Sequence, residues 1–422
     1  MTGVRRVVAS LVLLLAAISL WLCWPGASLP VVTAEERLAN VPSEQVARGA
    51  YLARAGNCVA CHSVPGDAPY SGGRAIETPF GTVFSSNLTP DDATGLGTWT
   101  AEAFWRAMHE GRSRDGRLLS PAFPYPNYTR VTRDDSDALF AYLRSLPAVA
   151  REPKSNTLRF PYNTQAAMRL WRALYFRSGS FEPDPQQSPE WNRGAYLVEG
   201  LGHCSACHTP RNSLGGPISA AEHAGGTIPM MGWEAPPLAE SPPIDEARAA
   251  ELVVLLSGGN SANNVTNGPM AEVVFHSLQH LEPADIEAMV HYLQTLPYRG
   301  APRSPRALPV NAATRQRYLV EGQWVYEIHC AECHGDSGEG RPYVYPPLAG
   351  NRLLLADSPR NAINVVLNGG FAPSTATNPH PYGMPAYANQ LSREAIAAVL
   401  TYTRHAWGNE ASAVSPVEVG RD

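Results

Sequence analysis

Three five-residue stretches carry residues able to do redox chemistry. They are Cys58-Val59-Ala60-Cys61-His62, Cys204-Ser205-Ala206-Cys207-His208 and Cys330-Ala331-Glu332-Cys333-His334. Two thiols three residues apart lie on one face of a helical turn, where both can reach the vinyl groups of a single porphyrin. The His that follows then comes under the iron as its proximal ligand. This is the attachment signature of a c-type haem. A lone Cys-x-x-Cys would also suit a thioredoxin-like redox pair or half of a zinc site. Three copies, each followed at once by His, argue against both. The expectation is three covalently bound haem c groups, held by Cys58 and Cys61, Cys204 and Cys207, and Cys330 and Cys333, with His62, His208 and His334 on the irons.

A proximal His leaves one iron position to be filled. A methionine there raises the potential and suits electron transfer, whereas an open position can bind and activate small molecules. In the last third, Tyr382-Gly383-Met384-Pro385-Ala386-Tyr387 puts Met384 in an irregular stretch 50 residues after His334. In the middle third, Asn267-Gly268-Pro269-Met270-Ala271 offers Met270, preferred over Met230 and Met231, which precede the middle helix. The first third reads Pro121-Ala122-Phe123-Pro124-Tyr125, with Phe123 at the corresponding place. Met108, three residues before Gly111, is the candidate there; its counterparts are Leu256 before Gly259 and Leu367 before Gly370. The alternatives are a five-coordinate iron or ligation by His109. Of the other histidines, His203, His223, His276, His280, His291, His329, His380 and His405 show no further metal-ligand spacing and read as surface or propionate-side groups. Trp99 and Arg211 are candidates to contact propionates or line the haem pocket.

These sites need elements to position them, and each third repeats one plan: helix, pentad, loop, middle helix, methionine region, closing helix. Arg48-Gly49-Ala50-Tyr51-Leu52 returns almost unchanged as Arg193-Gly194-Ala195-Tyr196-Leu197, a mark of internal repetition. Ser43 is the expected cap of the first helix, Ala101–Glu110 the middle helix, and residues 134–146 the closing one, with Thr132 and Asp135 resembling a capping box. Later closing helices are expected at 283–296 and 392–407, the latter capped by Ser392. Tyr51 with Tyr142, Tyr196 with Tyr292, and Tyr326 with Tyr402 are expected pairs where small residues let first and last helices cross. The fold class is mainly α: three tandem class I-like cytochrome c domains after an N-terminal apolar helix. The boundaries are 1–34 anchor or signal, 35–150 first domain, 151–188 linker with a short helix at 165–176, 189–298 second domain, 299–312 linker, 313–408 third domain, and 409–422 a disordered tail.

The 422 residues are 44% hydrophobic and 17% charged, enough for each unit to bury a core. Six of the seven cysteines sit in the pentads, so Cys23 alone can form no structural disulfide. The net charge is −5, and the two arginines ahead of the apolar run leave the remainder more negative still. That excludes a nucleic-acid binder and a polybasic membrane-surface protein. Arg5 and Arg6 precede an uncharged run over residues 7–24, close to the ~20 residues that span a bilayer. Positive residues ahead of it direct the rest of the chain outward. The run reads as an uncleaved inner-membrane anchor with the haem domains in the periplasm; a signal peptide cut near Val32-Thr33-Ala34 is the alternative. No Gly-x-Gly-x-x-Gly nucleotide fold and no nucleophile–base constellation stands out.

The chain resembles the three-haem cytochrome c subunits of bacterial membrane-bound alcohol, gluconate, sorbitol and aldehyde dehydrogenases. The likeness rests on the spacing of the pentads and on Thr78-Pro79-Phe80-Gly81-Thr82 with Ser86-Asn87-Leu88-Thr89-Pro90-Asp91. It rests further on Gly268-Pro269-Met270-Ala271, on Tyr345-Pro346-Pro347-Leu348-Ala349-Gly350-Asn351, and on Met384-Pro385-Ala386-Tyr387 with Trp407-Gly408-Asn409. The resemblance implies a non-catalytic subunit that takes electrons from a catalytic dehydrogenase subunit of flavin, quinone-cofactor or molybdenum type and passes them to ubiquinone or a terminal oxidase. Many such proteins carry Met where Phe123 stands, so the resemblance does not supply the first sixth ligand. The alternative reading is a haem enzyme, peroxidase-like or acting on sulfur compounds, working at an open first haem.

Overall fold

The structure is a computed structural model that describes residues 26–33, 41–300 and 310–420, with isolated positions 7, 10 and 13. The expected N-terminal helix and most of the second linker lie outside these residues. No helix among the described residues is long and apolar enough to cross a membrane. The chain divides into two compact units. One holds Met1–Asp184 with Val198–His203 and Asn212–Pro217; the other holds Pro185–Leu197, Cys204–Arg211 and Ile218–Asp422.

In the first unit, α1 (Ser43–Ala55) begins behind Pro42, which occupies the N-cap with no side-chain hydrogen bond. The expected Ser43 cap therefore does not form: Ser43 is the first helical residue. The loop after the first pentad is not wholly irregular. Its β1 (Ala75–Thr78) and β2 (Gly81–Phe84) form an antiparallel hairpin. Helix α2 (Ala101–Glu110) is capped by Thr100, whose hydroxyl accepts from the Ala103 amide, and stops at left-handed Gly111. Helix α3 (Arg133–Ser145) starts one residue earlier than expected, with Thr132 accepting from the Asp135 amide. Helix α4 (Gln165–Tyr175) is the short helix foreseen between the domains. It packs through Trp171, which is buried and donates its indole N–H to the Leu214 carbonyl at 3.1 Å. Leu170 and Leu174 on the same helix stay exposed.

The second unit contains α5 (Pro189–Tyr196), a hairpin of β3 (Gly226–Thr227) with β4 (Glu234–Ala235), α6 (Glu246–Gly258) and α7 (Pro283–Gln294). It continues with α8 (Ala312–His329), α9 (Arg360–Asn368), a hairpin of β5 (Gly370–Phe371) with β6 (Gly383–Met384), and α10 (Arg393–Thr403). Ser392 caps α10 as expected, accepting from the Ala395 amide.

One device closes all three repeats. A Cβ added to Gly49, Gly194 or Gly322 would collide with the carbonyl oxygen of Ala138, Ala288 or Ala398 and crowd the Cβ of Tyr142, Tyr292 or Tyr402. First and last helices therefore cross backbone to backbone at a glycine. In the first two repeats the residue before that glycine adds an ion pair to the first turn of the closing helix. Arg48 Nε donates to Asp135 at 2.7 Å, and Arg193 pairs bidentately with Asp285, both contacts at 2.7 Å. The third repeat has Glu321 there and no such pair. Of the expected aromatic pairs, Tyr326 and Tyr402 meet at 5.7 Å; Tyr142 lies edge-on to Tyr70 at 6.0 Å, and Tyr292 to Trp191 at 5.1 Å.

The expectation of a disordered tail is overturned. Asn409, Val414 and Val419 are buried, and the two valines join the core formed by Tyr318, Leu354, Ile363, Ile396 and Leu400. Short of large apolar side chains, the tail is held by polar contacts that composition does not reveal. The Val414 amide donates to Thr401 Oγ1 at 3.0 Å. Arg404, with no exposed surface, donates to the carbonyls of Ala356 (3.0 Å), Ser412 (2.8 Å) and Leu354, and to Ser412 Oγ (2.9 Å). Burial draws its guanidinium down to about 10, with Glu418 and Asp357 opposing the shift.

Two outcomes follow from these contacts. Gly322→Ala forces the third crossing apart and destabilises that domain by about 1–3 kcal/mol, read as a fall in its thermal midpoint. Arg404→Leu leaves buried carbonyls without donors and costs about 3 kcal/mol; limited proteolysis then cuts beyond Asn409, where the parent chain resists.

Candidate functional site

The three pentads form short helical turns at Cys58–His62, Ser205–His208 and Ala331–His334. None of their six cysteines is in a disulfide. Burial, followed by the neighbouring Cys61, pushes the Cys58 thiol up to about 12; burial and then Cys333 bring Cys330 to about 11. In the first two pentads an arginine caps the turn: Arg74 donates to the Ala60 carbonyl at 2.6 Å and Arg211 to the Ala206 carbonyl at 2.9 Å.

Each pentad histidine is fixed in the same way. The Nδ1 atoms of His62, His208 and His334 lie 2.7, 2.7 and 2.9 Å from the carbonyl oxygens of Ser86, Pro236 and Pro346. A carbonyl only accepts, so each Nδ1 carries the proton and donates, and each Nε2 keeps its lone pair. Desolvation lowers the pKa of all three rings, partly opposed by that hydrogen bond, so the neutral imidazole is the stable form. A backbone partner that orients the ring and sets the tautomer is the usual second support of a metal-ligating histidine.

A glycine holds the accepting peptide in place. The amides of Gly72, Gly225 and Gly340 each donate to the carbonyl of the pentad histidine at 2.8 Å. All three glycines are left-handed, at φ 75°, 81° and 62°. An added Cβ would meet the Ser86–Asn87, Pro236–Pro237 or Pro346–Pro347 peptide, whose carbonyl takes the ring proton. Two residues earlier, Tyr70, His223 and Gly338 are also left-handed, and their carbonyls accept from the amides of Leu88, Leu238 and Leu348 at 2.8, 2.9 and 2.7 Å. The sequence reading missed this bracket. Its trace was there, in the Leu that stands two residues beyond Ser86, Pro236 and Pro346 in every repeat. His223, read as a surface or propionate-side group, is buried.

The methionines occupy three different settings. Met384 belongs to β6, where it pairs with Gly370, rather than to an irregular stretch. Met270 is the second residue of the short helix Pro269–His276 and is half-buried. Met108 is buried in the last turn of α2, whereas its counterparts Leu256 and Leu367 are half-buried. The Phe123 motif is filled by aromatic packing. Phe123 lies 5.3 Å from Tyr128, and buried Tyr125 meets Trp171 and Phe176 edge-on at 6.4 and 4.9 Å. His109 stacks on Trp105 at 4.4 Å, and its buried Nδ1 has no hydrogen-bond partner.

Cysteine pairs at this spacing and outside any disulfide, beside neutral imidazoles whose Nε2 lone pairs are directed by bonds on the opposite nitrogen, fit a covalently attached haem. The cytochrome c family profile matches residues 46–147, 192–297 and 319–407, one segment around each pentad. The chain belongs to the cytochrome c family. It is 35% identical over 405 residues to the cytochrome c subunit of quinone alcohol dehydrogenase from Gluconacetobacter polyoxogenes, covering 91% of this chain and 85% of that one. It is 35% identical over 389 residues to the gluconate 2-dehydrogenase cytochrome c subunit of Pantoea cypripedii, covering 87% of each. Identity reaches 42% over 367 residues with a nicotinate dehydrogenase subunit of Pseudomonas putida; the match takes in 85% of this chain but only 30% of that larger protein. The chain thus falls among the cytochrome c subunits of dehydrogenases, and its cytochrome c domains imply covalently bound haem c.

The bracket makes a graded prediction. Gly340→Ala incurs both left-handed strain and a Cβ 2.5 Å from the Tyr345 oxygen, whereas Gly350→Ala, at φ 70° with nothing within 4 Å, incurs strain alone. The first loses about 1–3 kcal/mol and more than the second, measured by denaturant unfolding of the third domain.

Proposed function

We propose that the chain is an electron-transfer subunit with three haem c groups, taking electrons from a catalytic dehydrogenase subunit. The observation that carries this is the threefold bracket around His62, His208 and His334, set beside relatives named as cytochrome subunits of alcohol, gluconate and fructose dehydrogenases. When bound, the haem supplies a one-electron couple whose potential follows its axial ligands, hydrogen bonds and burial. The chain's own residues do the rest. The thiols of Cys58 and Cys61, Cys204 and Cys207, and Cys330 and Cys333 take the thioether bonds, one pair to each domain in the ranges 35–150, 189–298 and 313–408. His62, His208 and His334 ligate from the bracketed side.

Met270 and Met384 are proposed as the opposite ligands in the second and third domains. In the first, Met108 is preferred to His109. The His109 ring stacks on Trp105, and its Nδ1 lacks the carbonyl that orients each pentad histidine. The acceptor we favour is ubiquinone or a terminal oxidase, with the domains on the periplasmic face of the inner membrane behind an apolar tether at residues 7–24. Substrate oxidation is assigned to the partner, of flavin, quinone-cofactor or molybdenum type.

Carbon monoxide tests the ligand set. The mature protein should carry the mass of three haems, and its reduced form should bind little carbon monoxide. Met108→Ala should open one haem in three to the gas with the others unchanged. A parent protein already binding at one third of its haem would favour the rival reading of a haem enzyme working at the first site. A mass equal to the bare chain would end both readings.

A further inference from the structure

Inside the second unit, one short segment touches the supports of two sites at once. Residues 232–236 run through Trp233 and β4 to Pro236, whose carbonyl takes the His208 ring proton at 2.7 Å. Trp233 also packs beneath the methionine loop of the same repeat: a Cβ on Gly268 would lie 2.5–2.8 Å from three atoms of its indole. Gly268 has φ 54° and directly precedes Pro269 and Met270, so the indole fills the space where any other residue would carry its side chain. The second site is thus supported from both sides by one stretch of five residues.

The same stretch is pinned by α9 of the third repeat. The Glu234 amide donates to Asn361 Oδ1 at 2.9 Å, and Asn361 Nδ2 donates back to the Glu234 carbonyl at 2.7 Å. The side-chain amide thereby pairs with one residue of β4 as a neighbouring strand would. Asn364, buried, donates to the Gly232 carbonyl at 2.7 Å, and Arg360 Nε approaches Glu234 at 3.7 Å. Helix α9 in turn holds the segment around the third methionine. The amides of Tyr387 and Ala388 donate to the carbonyls of Val366 and Leu367 at 3.0 and 3.2 Å, and Gly370, just past the helix, pairs with Met384. Further contacts fix the second and third repeats together: Asn260 Nδ2 donates to the Tyr343 carbonyl at 2.8 Å, Thr375 Oγ1 to the Gly258 carbonyl at 3.0 Å, and Arg352 pairs with Glu240 at 3.0 Å.

We propose that Trp233, clamped at its two flanking residues by Asn361 and Asn364, is the contact that couples the second and third cytochrome domains for electron transfer. This rests on the electron-transfer reading above. A route of packing and hydrogen bonds joins the turn before Met270 to the Met384 hairpin through the Trp233 indole, the backbone on either side of it and α9, and the asparagines hold its length fixed. Electron tunnelling falls steeply with gaps in the intervening medium, so an indole packed against the turn before Met270 and tied through its neighbours to the helix that supports the Met384 strand sets the rate of the step. Trp233, Asn361 and Asn364 are positioning residues: none is a candidate ligand.

The test uses the full-length, three-haem protein and its Trp233→Leu, Trp233→Phe, Asn361→Leu and Asn361→Leu/Asn364→Leu variants. Haem content is read by mass, potentials by redox titration, internal electron redistribution after sub-stoichiometric photoreduction, and amide exchange at residues 232–235. The expected result is three haems and unchanged potentials. One internal phase slows severalfold in Trp233→Leu and in the double variant, and recovers in Trp233→Phe. The Glu234 amide exchanges faster in the asparagine variants. Unchanged internal phases in Trp233→Leu and in the double variant, with all haems present, would overturn the proposal. If Trp233→Leu binds fewer haems, Asn361→Leu decides, since its half-exposed position bears on β4 alone: a slowed phase with faster Glu234 exchange supports the coupling, and an unaltered phase with faster exchange refutes it. A parent chain that binds no haem would overturn the proposed function itself, which separates the two failures.

Discussion

The whole arrangement depends on a hydrogen bond between a half-buried imidazole and one backbone carbonyl. A histidine that must ligate through Nε2 has to be neutral and carry its proton on Nδ1, with its ring plane fixed. Desolvation supplies the neutrality. The carbonyls of Ser86, Pro236 and Pro346 supply the tautomer and the orientation. A carbonyl can only do this if its peptide cannot drift, and that is the task of Gly72, Gly225 and Gly340, which lie against the peptide and return a hydrogen bond to the histidine backbone. Each loop therefore needs a left-handed residue at one place because a ring needs one tautomer at another. Two of the three accepting residues are prolines followed by proline, which lack an N–H to offer elsewhere and narrow the backbone further.

Much of the fold was legible because it rests on local rules. Helix α2 spans Ala101–Glu110 as expected and stops at Gly111, and Ser392 caps α10. The repeated Arg-Gly-Ala-Tyr-Leu pointed to a close helix crossing, and the crossing lies on its glycine. The same motif held an unread signal. Arg48 and Arg193 reach Asp135 and Asp285, more than eighty residues away in sequence, and no single-segment pattern announces such a pair. At the other end, Pro42 displaced Ser43 as the N-cap because a proline with extended backbone geometry enters the helix without needing its N–H, so the serine is left one position inside.

The failures share a cause. The tail contains few large apolar residues, so composition read it as disordered. It is held by Arg404 and Thr401, polar groups of α10 and its C-cap that face inward because the tail supplies acceptors and donors for them. Satisfying a buried guanidinium requires carbonyls from several segments at once, here Leu354, Ala356 and Ser412, and that requirement appears only when the chain is folded. The clamp on Glu234 is of the same kind: asparagine reads as a loop or cap residue, yet Asn361 on a helix completes the hydrogen bonding of a strand in another repeat.

The three repeats differ most on the side away from the bracket, and packing gives a reason. In the second and third, Gly268 and Gly370 give the backbone room to bring a methionine-bearing segment against Trp233 or into a two-residue hairpin. In the first, the corresponding stretch is committed elsewhere. A Cβ on Gly111 would strike the Tyr125 ring, and Tyr125 is itself wedged among Trp171, Phe176 and the Arg172 guanidinium. Helix α4, drawn from the linker, thus occupies the first domain's loop through aromatic contacts that Phe123 extends to Tyr128. A segment packed from outside in this way has little freedom to swing a ligand inward, which leaves α2, with buried Met108 in its last turn, as the element nearest in sequence able to do so. With Met108 as the proposed ligand, the first iron is served from the last turn of α2, whereas Met270 opens a short helix and Met384 lies in a two-residue strand.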